Sequence, residues 1–255
     1  MIAWLLLLMA QSAGEAPYQK AHGLFVRQQF PAALQQLDEA LRLDPKLVAA
    51  WTLRAKIGMA TNDFGLARKS LEAALAVDPK AQYAQFLYGM EAYLTNDMQA
   101  ALPRFRRAYE LSPLDARVAL YLGLTCESLG QTGEAMSLYE KAVRLEGKRP
   151  QAETLLPGGR LLLLLGRVDE AERWIRQALQ LAPGLREPHF ELARILLKKG
   201  QAAPAAAEGE LALARPAGLT TDAQVHYLLI QAWRLAGDPA KSAAHAAILR
   251  AGEGR

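Results

Sequence analysis

The sequence contains one cysteine, Cys126, and four histidines among its 255 residues. A single thiol excludes an internal disulfide framework and a multi-cysteine metal site. No histidine lies three to five residues from another, so the usual zinc-ligand spacings do not occur. Glycine-rich phosphate loops and GxSxG or HExxH motifs are also missing. We therefore expect a protein that is not an enzyme and that holds no metal or cofactor.

The sequence also lacks a strong charge of one sign. It has 30 basic and 26 acidic residues, a formal net charge of +4. This mixed balance is not typical of nucleic-acid binding, so no nucleic-acid partner is expected. Val, Ile and Thr are sparse, whereas Ala, Leu, Glu, Gln and Arg are abundant, and this composition favours helix over strand.

Long hydrophobic runs are missing except at the start of the chain, where residues 2–10 are apolar. That run is about half as long as a membrane-spanning helix and is followed by small and polar residues. It predicts a signal peptide over residues 1–13 and export to the periplasm or out of the cell. The run has no preceding Lys or Arg, which leaves the alternative of an uncleaved segment that anchors the protein to the membrane.

What the sequence does contain is a pair of alanines, seven residues apart, that recurs with a nearly fixed period. The pairs are Ala33/Ala40, Ala67/Ala74, Ala101/Ala108, Ala135/Ala142, Ala171/Ala178 and Ala205/Ala212. Successive pairs are separated by 34, 34, 34, 36 and 34 residues. Self-similarity at this period predicts a solenoid of helix-turn-helix units.

Other residue types recur in the same register. Prolines that would stop a helix follow the first alanine at a fixed distance, at Pro45, Pro79, Pro113 and Pro183. Residues suited to a left-handed turn precede it, at Asn62, Asn96, Gly130, Gly166, Gly200 and Gly237. Small residues lie further upstream, at Ala21, Ala55, Gly89, Gly123, Gly159 and Ala193.

This combination of small residues, turn residues and a terminal proline resembles the tetratricopeptide repeat. The resemblance implies an all-α fold, a right-handed α-solenoid of about seven helix-turn-helix repeats over residues 14–251. The repeats would cover residues 14–47, 48–81, 82–115, 116–149, 152–185, 186–219 and 223–251. The period lengthens near Gly147, and Pro157 falls inside or at the start of a first helix, so we expect a joint over residues 147–159. The leucine run 161–165 is assigned to the core.

The resemblance also implies a concave groove, lined by the first helix of each repeat, that binds a protein or peptide partner. Aromatic, apolar and basic residues fall on the groove positions: Tyr18, Phe25, Met59, Tyr83, Phe86, Met90, Tyr93, Arg117, Arg160, Arg194 and Arg234. The aromatic side chains would anchor a partner and the arginines would pair with its carboxylates. Two alternatives stay open: the aromatics of the third repeat pack in the core, and the arginines are ordinary solvated residues.

We therefore predict a non-catalytic adaptor or scaffold of the periplasm, which binds a segment of a partner protein in its groove. An alternative is a structural component of the cell envelope that associates with itself as a homo-oligomer. A glycan-binding or enzymatic module is a third alternative, with no catalytic arrangement to support it.

Overall fold

A computed structural model of the chain describes residues 13–253. The predicted signal peptide, residues 1–13, lies outside these residues except for Ala13. The described part consists of α-helices joined by short connections and contains no strand. It is an all-α helical repeat solenoid, so the predicted fold class is confirmed.

The chain forms two compact units, Met1–Gln131 and Thr132–Arg255. The helices described in the first unit are α1 (Glu15–Val26), α2 (Phe30–Leu43), α3 (Val48–Ala60), α4 (Phe64–Val77), α5 (Gln82–Leu94), α6 (Met98–Leu111) and α7 (Ala116–Ser128). Those described in the second unit are α8 (Thr132–Glu146), α9 (Ala152–Leu164), α10 (Val168–Leu181), α11 (Arg186–Lys198), α12 (Ala202–Leu213), α13 (Asp222–Leu235) and α14 (Pro239–Glu253).

Consecutive helices pack as pairs within each unit. In the first unit, α1 packs on α2, α3 on α4 and α5 on α6, and α1, α3 and α5 each also touch the first helix of the next repeat. The second unit repeats this arrangement, with α9, α11 and α13 as a row of first helices. A row of neighbouring first helices presents one side chain per turn from each repeat to the same surface.

The turn and stop residues behave as the sequence predicts. Asn62, Asn96, Gly130, Gly166, Gly200 and Gly237 all have positive φ, between 58° and 82°. Helices α2, α4, α6 and α10 end two residues before a proline. Gln28 occupies the equivalent turn of the first repeat with φ of 59°, although its side chain gives no signal for that conformation.

The expected joint over residues 147–159 stays a prediction, although the structure places the two residues on which it depends. Helix α9 begins at Ala152, so Pro157 lies inside the helix, where it cannot donate the usual backbone hydrogen bond. Gly147 has a positive φ of 61° and ends the preceding helix. The whole segment belongs to the second unit, which begins at Thr132.

Candidate binding surface

In the first unit, the predicted groove residues lie along α1, α3, α5 and α7 with very different exposures. Tyr18, Phe25, Met59, Met90 and Tyr93 are half-buried, and Arg117 is exposed. Tyr83 is 37% exposed and Phe86 only 7%. The set is thus split between a surface and the core.

Phe86 is a correction to the predicted surface. Its ring lies 5.8 Å from Phe105 of α6 and 5.7 Å from Tyr121 of α7, measured between ring centroids. Tyr121 also lies 5.7 Å from Tyr93 in an edge-on arrangement. The side chain of Phe86 therefore belongs to an aromatic core between successive repeats, because the rings packed around it leave it little access to solvent.

Tyr83 is the aromatic residue of this cluster that presents most surface. Its ring stacks at 6.3 Å on Phe86, and the Arg117 guanidinium lies 5.8 Å from the centre of the Phe86 ring. Arg117 is also bound to Asp115 at 3.0 Å, which raises the pKa of the arginine. The pKa of Tyr18 is raised by burial first and then by the nearby Glu15 and Tyr83. Tyr18, Tyr83 and Arg117 thus lie in one strip of the surface of the first unit, which we call the aromatic strip.

The second unit has an open groove across α9, α11 and α13. Its volume is about 570 Å³. The lining residues are Leu163, Leu164, Phe190, Arg194, Leu197, Lys198, Tyr227, Leu228 and Gln231. Three successive first helices each supply apolar side chains to this surface.

Much of that apolar surface is exposed. Leu164 is 73% exposed and Tyr227 is 59% exposed. Leu161 and Leu162 are buried, as the assignment of the leucine run to the core requires, but Leu164 and Leu165 are not. The assignment is therefore wrong at the end of the run, because only one side of α9 faces its neighbours.

Two cations, Arg194 and Lys198, lie one turn apart on α11 at the groove. The Arg194 guanidinium donates a 2.6 Å hydrogen bond to Glu191 and lies 5.9 Å from the Phe190 ring. Burial raises the pKa of Glu191, and the charges of Arg194 and Arg160 oppose that shift. No ion pair of Lys198 is seen within residues 13–253.

The predicted basic residues of this half are not all in the groove. Arg194 lines it, whereas Arg160 on α9 and Arg234 on α13 are exposed but outside the lining. Sequence reasoning did not single out Phe190 and Tyr227. Both occupy the same position in their repeats as Tyr18 and Phe86, so the repeat positions used to predict groove residues would also have predicted these two.

Residues 13–253 hold no group of three or more His, Cys, Asp or Glu side chains placed to bind a metal ion. Cys126 is buried. None of the helices described is both long and apolar enough to cross a membrane.

Comparison with known families decides the identity of the repeats. Models of the tetratricopeptide repeat match residues 18–65, 53–102 and 89–153, and again residues 159–188. The matches cover more than half of the chain. It belongs to the tetratricopeptide repeat family. The members of this family are generally non-catalytic adaptors, and their repeats generally bind protein or peptide partners.

Solved structures with the same tetratricopeptide fold are similar over most of the chain. PilF of Pseudomonas aeruginosa is 18% identical with a TM-score of 0.68, covering 80% of this chain and 90% of that one. A tetratricopeptide repeat protein from Parabacteroides merdae is 17% identical with a TM-score of 0.66, covering 91% and 90%. YrrB, described as having an unusual peptide-binding site, is 19% identical with a TM-score of 0.63, covering 78% and 97%.

At these identities the likeness shows the fold alone. A sequence comparison with curated proteins returned no match.

Proposed function

We propose that this tetratricopeptide repeat protein is a scaffold that binds a segment of a partner protein in the groove of its second unit. The observation that carries the proposal is the groove itself, in which exposed Leu164 and Tyr227 lie beside Arg194 and Lys198. Exposed apolar surface of this kind on a folded domain marks an interaction site. The peptide-binding site named for YrrB supports a peptide as the occupant, since its fold is similar.

The lining indicates which chemistry the partner segment has. Leu163, Leu164, Leu197 and Leu228 form an apolar floor, with Phe190 and Tyr227 as aromatic walls. The charged members of the lining are both cations. An apolar side chain followed within a turn by a carboxylate would bury its hydrocarbon part and pair with Lys198.

The aromatic strip of the first unit would contribute a second contact. Tyr83 offers an exposed ring, and Arg117 lies beside it. Tyr and Arg are the side chains that most often dominate binding energy at interfaces. Phe25, Met59, Met90 and Tyr93 would support this strip from half-buried positions rather than touch the partner over a large area.

The place of action belongs to the same proposal. The apolar run at residues 2–10 would direct the protein to the periplasm or out of the cell, with its repeats then free to assemble envelope proteins. Amino-terminal sequencing of protein recovered from the periplasmic fraction tests this part. Recovery from the cytoplasm with the first residues intact would contradict it.

Selection from a phage-displayed library of random dodecapeptides tests the binding proposal. We expect selected peptides to combine apolar residues with Asp or Glu. Their affinity, measured by fluorescence anisotropy, should fall at least about tenfold in the Leu164→Glu and Lys198→Glu variants. Such a fall corresponds to a loss of about 1.4 kcal/mol or more of binding free energy. Binding should weaken as salt is raised.

Matched controls separate binding from folding. Leu181 on α10 is also an exposed leucine, and Lys148 is an exposed lysine in the α8–α9 connection, and neither lines the groove. Leu181→Glu and Lys148→Glu should leave affinity within twofold. Peptides that bind all four variants equally would show that the groove is not the binding site.

A further inference from the structure

The last helix, α14, is fastened to α13 by a pair of buried histidines. The Nδ1 atoms of His226 on α13 and His245 on α14 lie 2.9 Å apart, and both side chains are buried. The Ser242 hydroxyl, one turn earlier on α14, donates to the Ile230 carbonyl at 2.9 Å. These two contacts hold α14 against α13.

A carboxylate fixes the proton positions of the pair. Glu210 on α12 faces the other nitrogen of His245, with Oε1 at 3.1 Å from Nε2, and also accepts from Trp233 Nε1 at 3.0 Å. An ionised carboxylate only accepts, so Nε2 of His245 carries a hydrogen. The neutral His245 ring then has a bare Nδ1, and His226 must donate to it from its own Nδ1.

We propose that His226 and His245 form a pH-sensitive latch, a contact that keeps α14 packed on α13 while at most one of the two rings is protonated. With one added proton, a single hydrogen still lies between the Nδ1 atoms. With two, both Nδ1 atoms carry hydrogen and face each other at 2.9 Å as like charges. The contact then becomes repulsive, and α14 separates from α13.

The charges around His226 come from four helices. Glu210 on α12 and Asp222 on α13 favour its charged form, whereas His245 on α14 and Arg186 on α11 oppose it. Burial is the largest influence, and together with His245 it lowers the pKa of His226 below the ordinary value. For His245, Glu210 is the facing carboxylate and His226 the facing imidazole ring.

The direction of the pH effect follows from this lowering. As the pH falls, His226 takes up a proton near pH 6.5 in the unfolded chain, about the ordinary imidazole value. In the folded chain it takes up that proton only at a lower pH. The latch is therefore fully stabilising above about pH 6.5 and weakens as pH falls through the lower folded value. This argument does not depend on what the groove binds.

The wild-type protein itself tests the arrangement of protons. Two-bond ¹H–¹⁵N correlation spectra of the imidazole rings at pH 7.5 should show His226 with hydrogen on Nδ1 and His245 with hydrogen on Nε2. Both rings with hydrogen on Nε2 would remove the 2.9 Å hydrogen bond and overturn the proposal.

Hydrogen exchange tests the opening. Exchange of α14 amides, corrected for the intrinsic effect of pH, should lose about tenfold in protection between pH 7.5 and pH 5.0. Helix α10, in the same unit, should change by less than twofold. A His226→Asn/His245→Gln double variant can keep polar contacts without a titrating ring and should abolish the pH response.

Two controls keep the experiment decisive. His22 is exposed on α1, and a His22→Gln variant should respond like the wild type. If the double variant does not fold, the single His245→Gln variant is used. Its change in the logarithm of α14 protection between pH 7.5 and pH 5.0 should be at most half that of the wild type. An unchanged α14 at pH 5.0, the same response in the double variant, or loss of α14 protection at pH 7.5 on adding a chelator would refute the latch.

Discussion

At the scale of single residues, size at the helix crossings determines the fold. All twelve alanines of the recurring pairs have no exposed surface. Because each is fully buried, a larger side chain there would hold the packed helices apart. Two of the small residues upstream, Gly89 and Gly159, are placed even more tightly. A Cβ at Gly89 would lie 2.6 Å from the Phe105 ring, and one at Gly159 would lie 2.7 Å from Ile175.

Substitution of Gly89 tests this close packing. Gly89→Ala should destabilise the protein by about 1–3 kcal/mol, because Phe105 is itself buried and its ring cannot move aside without displacing Tyr121. Urea unfolding followed by circular dichroism measures the effect.

Gly23 provides the matched control for that substitution. It lies within α1, and a Cβ added there would meet no neighbouring atom within 4 Å. Gly23→Ala should therefore stabilise the helix by up to about 1 kcal/mol. Equal effects of the two substitutions would mean that helix propensity, and not packing, governs both sites.

At the scale of elements, the first turn of α11 holds the connection between α12 and α13. Arg186 is 4% exposed. Its guanidinium donates to the carbonyls of Thr220 at 3.2 Å and Arg215 at 2.8 Å, and to the Asp222 carboxylate. Glu187 accepts from the Leu219 amide at 2.7 Å. Residues 214–221 thus depend on two adjacent side chains at the start of α11.

Arg186→Lys should loosen this connection although the charge is kept. An ammonium is a compact point charge and cannot reach three acceptors that a planar guanidinium spans. We expect a loss of about 1–3 kcal/mol and faster cleavage by limited proteolysis within residues 214–221. Arg173→Lys, at an exposed site on α10, should cleave at the wild-type rate. Equal cleavage of the two variants would contradict the role of Arg186.

At the scale of the whole molecule, the repeats within each unit contact their neighbours, and stability is built up locally. Leu71 on α4 and Leu192 on α11 are both fully buried, four repeats apart. In an array with nearest-neighbour contacts, a cavity weakens the repeats beside it more than distant ones.

Leu71→Ala should lower the free energy of unfolding of the repeats around it by about 2–5 kcal/mol. Hydrogen exchange should accelerate in α3 to α6 and stay near wild type in α11 to α13. Leu192→Ala, the reciprocal control, should give the opposite pattern. A uniform acceleration along the chain in both variants would show that the protein unfolds as a single cooperative unit.

Sequence periodicity was sufficient for the helices and for the turns marked by Asn or Gly. A buried alanine or a left-handed turn is a local requirement that recurs in every repeat, so its signal is reinforced along the chain. Signals that occur once are not reinforced in this way. Nothing in the order of residues marked His226 and His245 as partners, or Arg186 as the residue that holds a later connection.

Phe86 and Tyr227 show what only the tertiary structure decided. They occupy the same position in their repeats, yet Phe86 is 7% exposed and Tyr227 is 59% exposed. The repeat position determines the side of the helix on which a residue lies. Whether that side is covered depends on the side chains packed against it, such as Phe105 of the same repeat and Tyr121 of the next repeat around Phe86. The sequence by itself thus determined an array of paired helices, and packing between repeats decided which of its aromatic residues remain open to a partner.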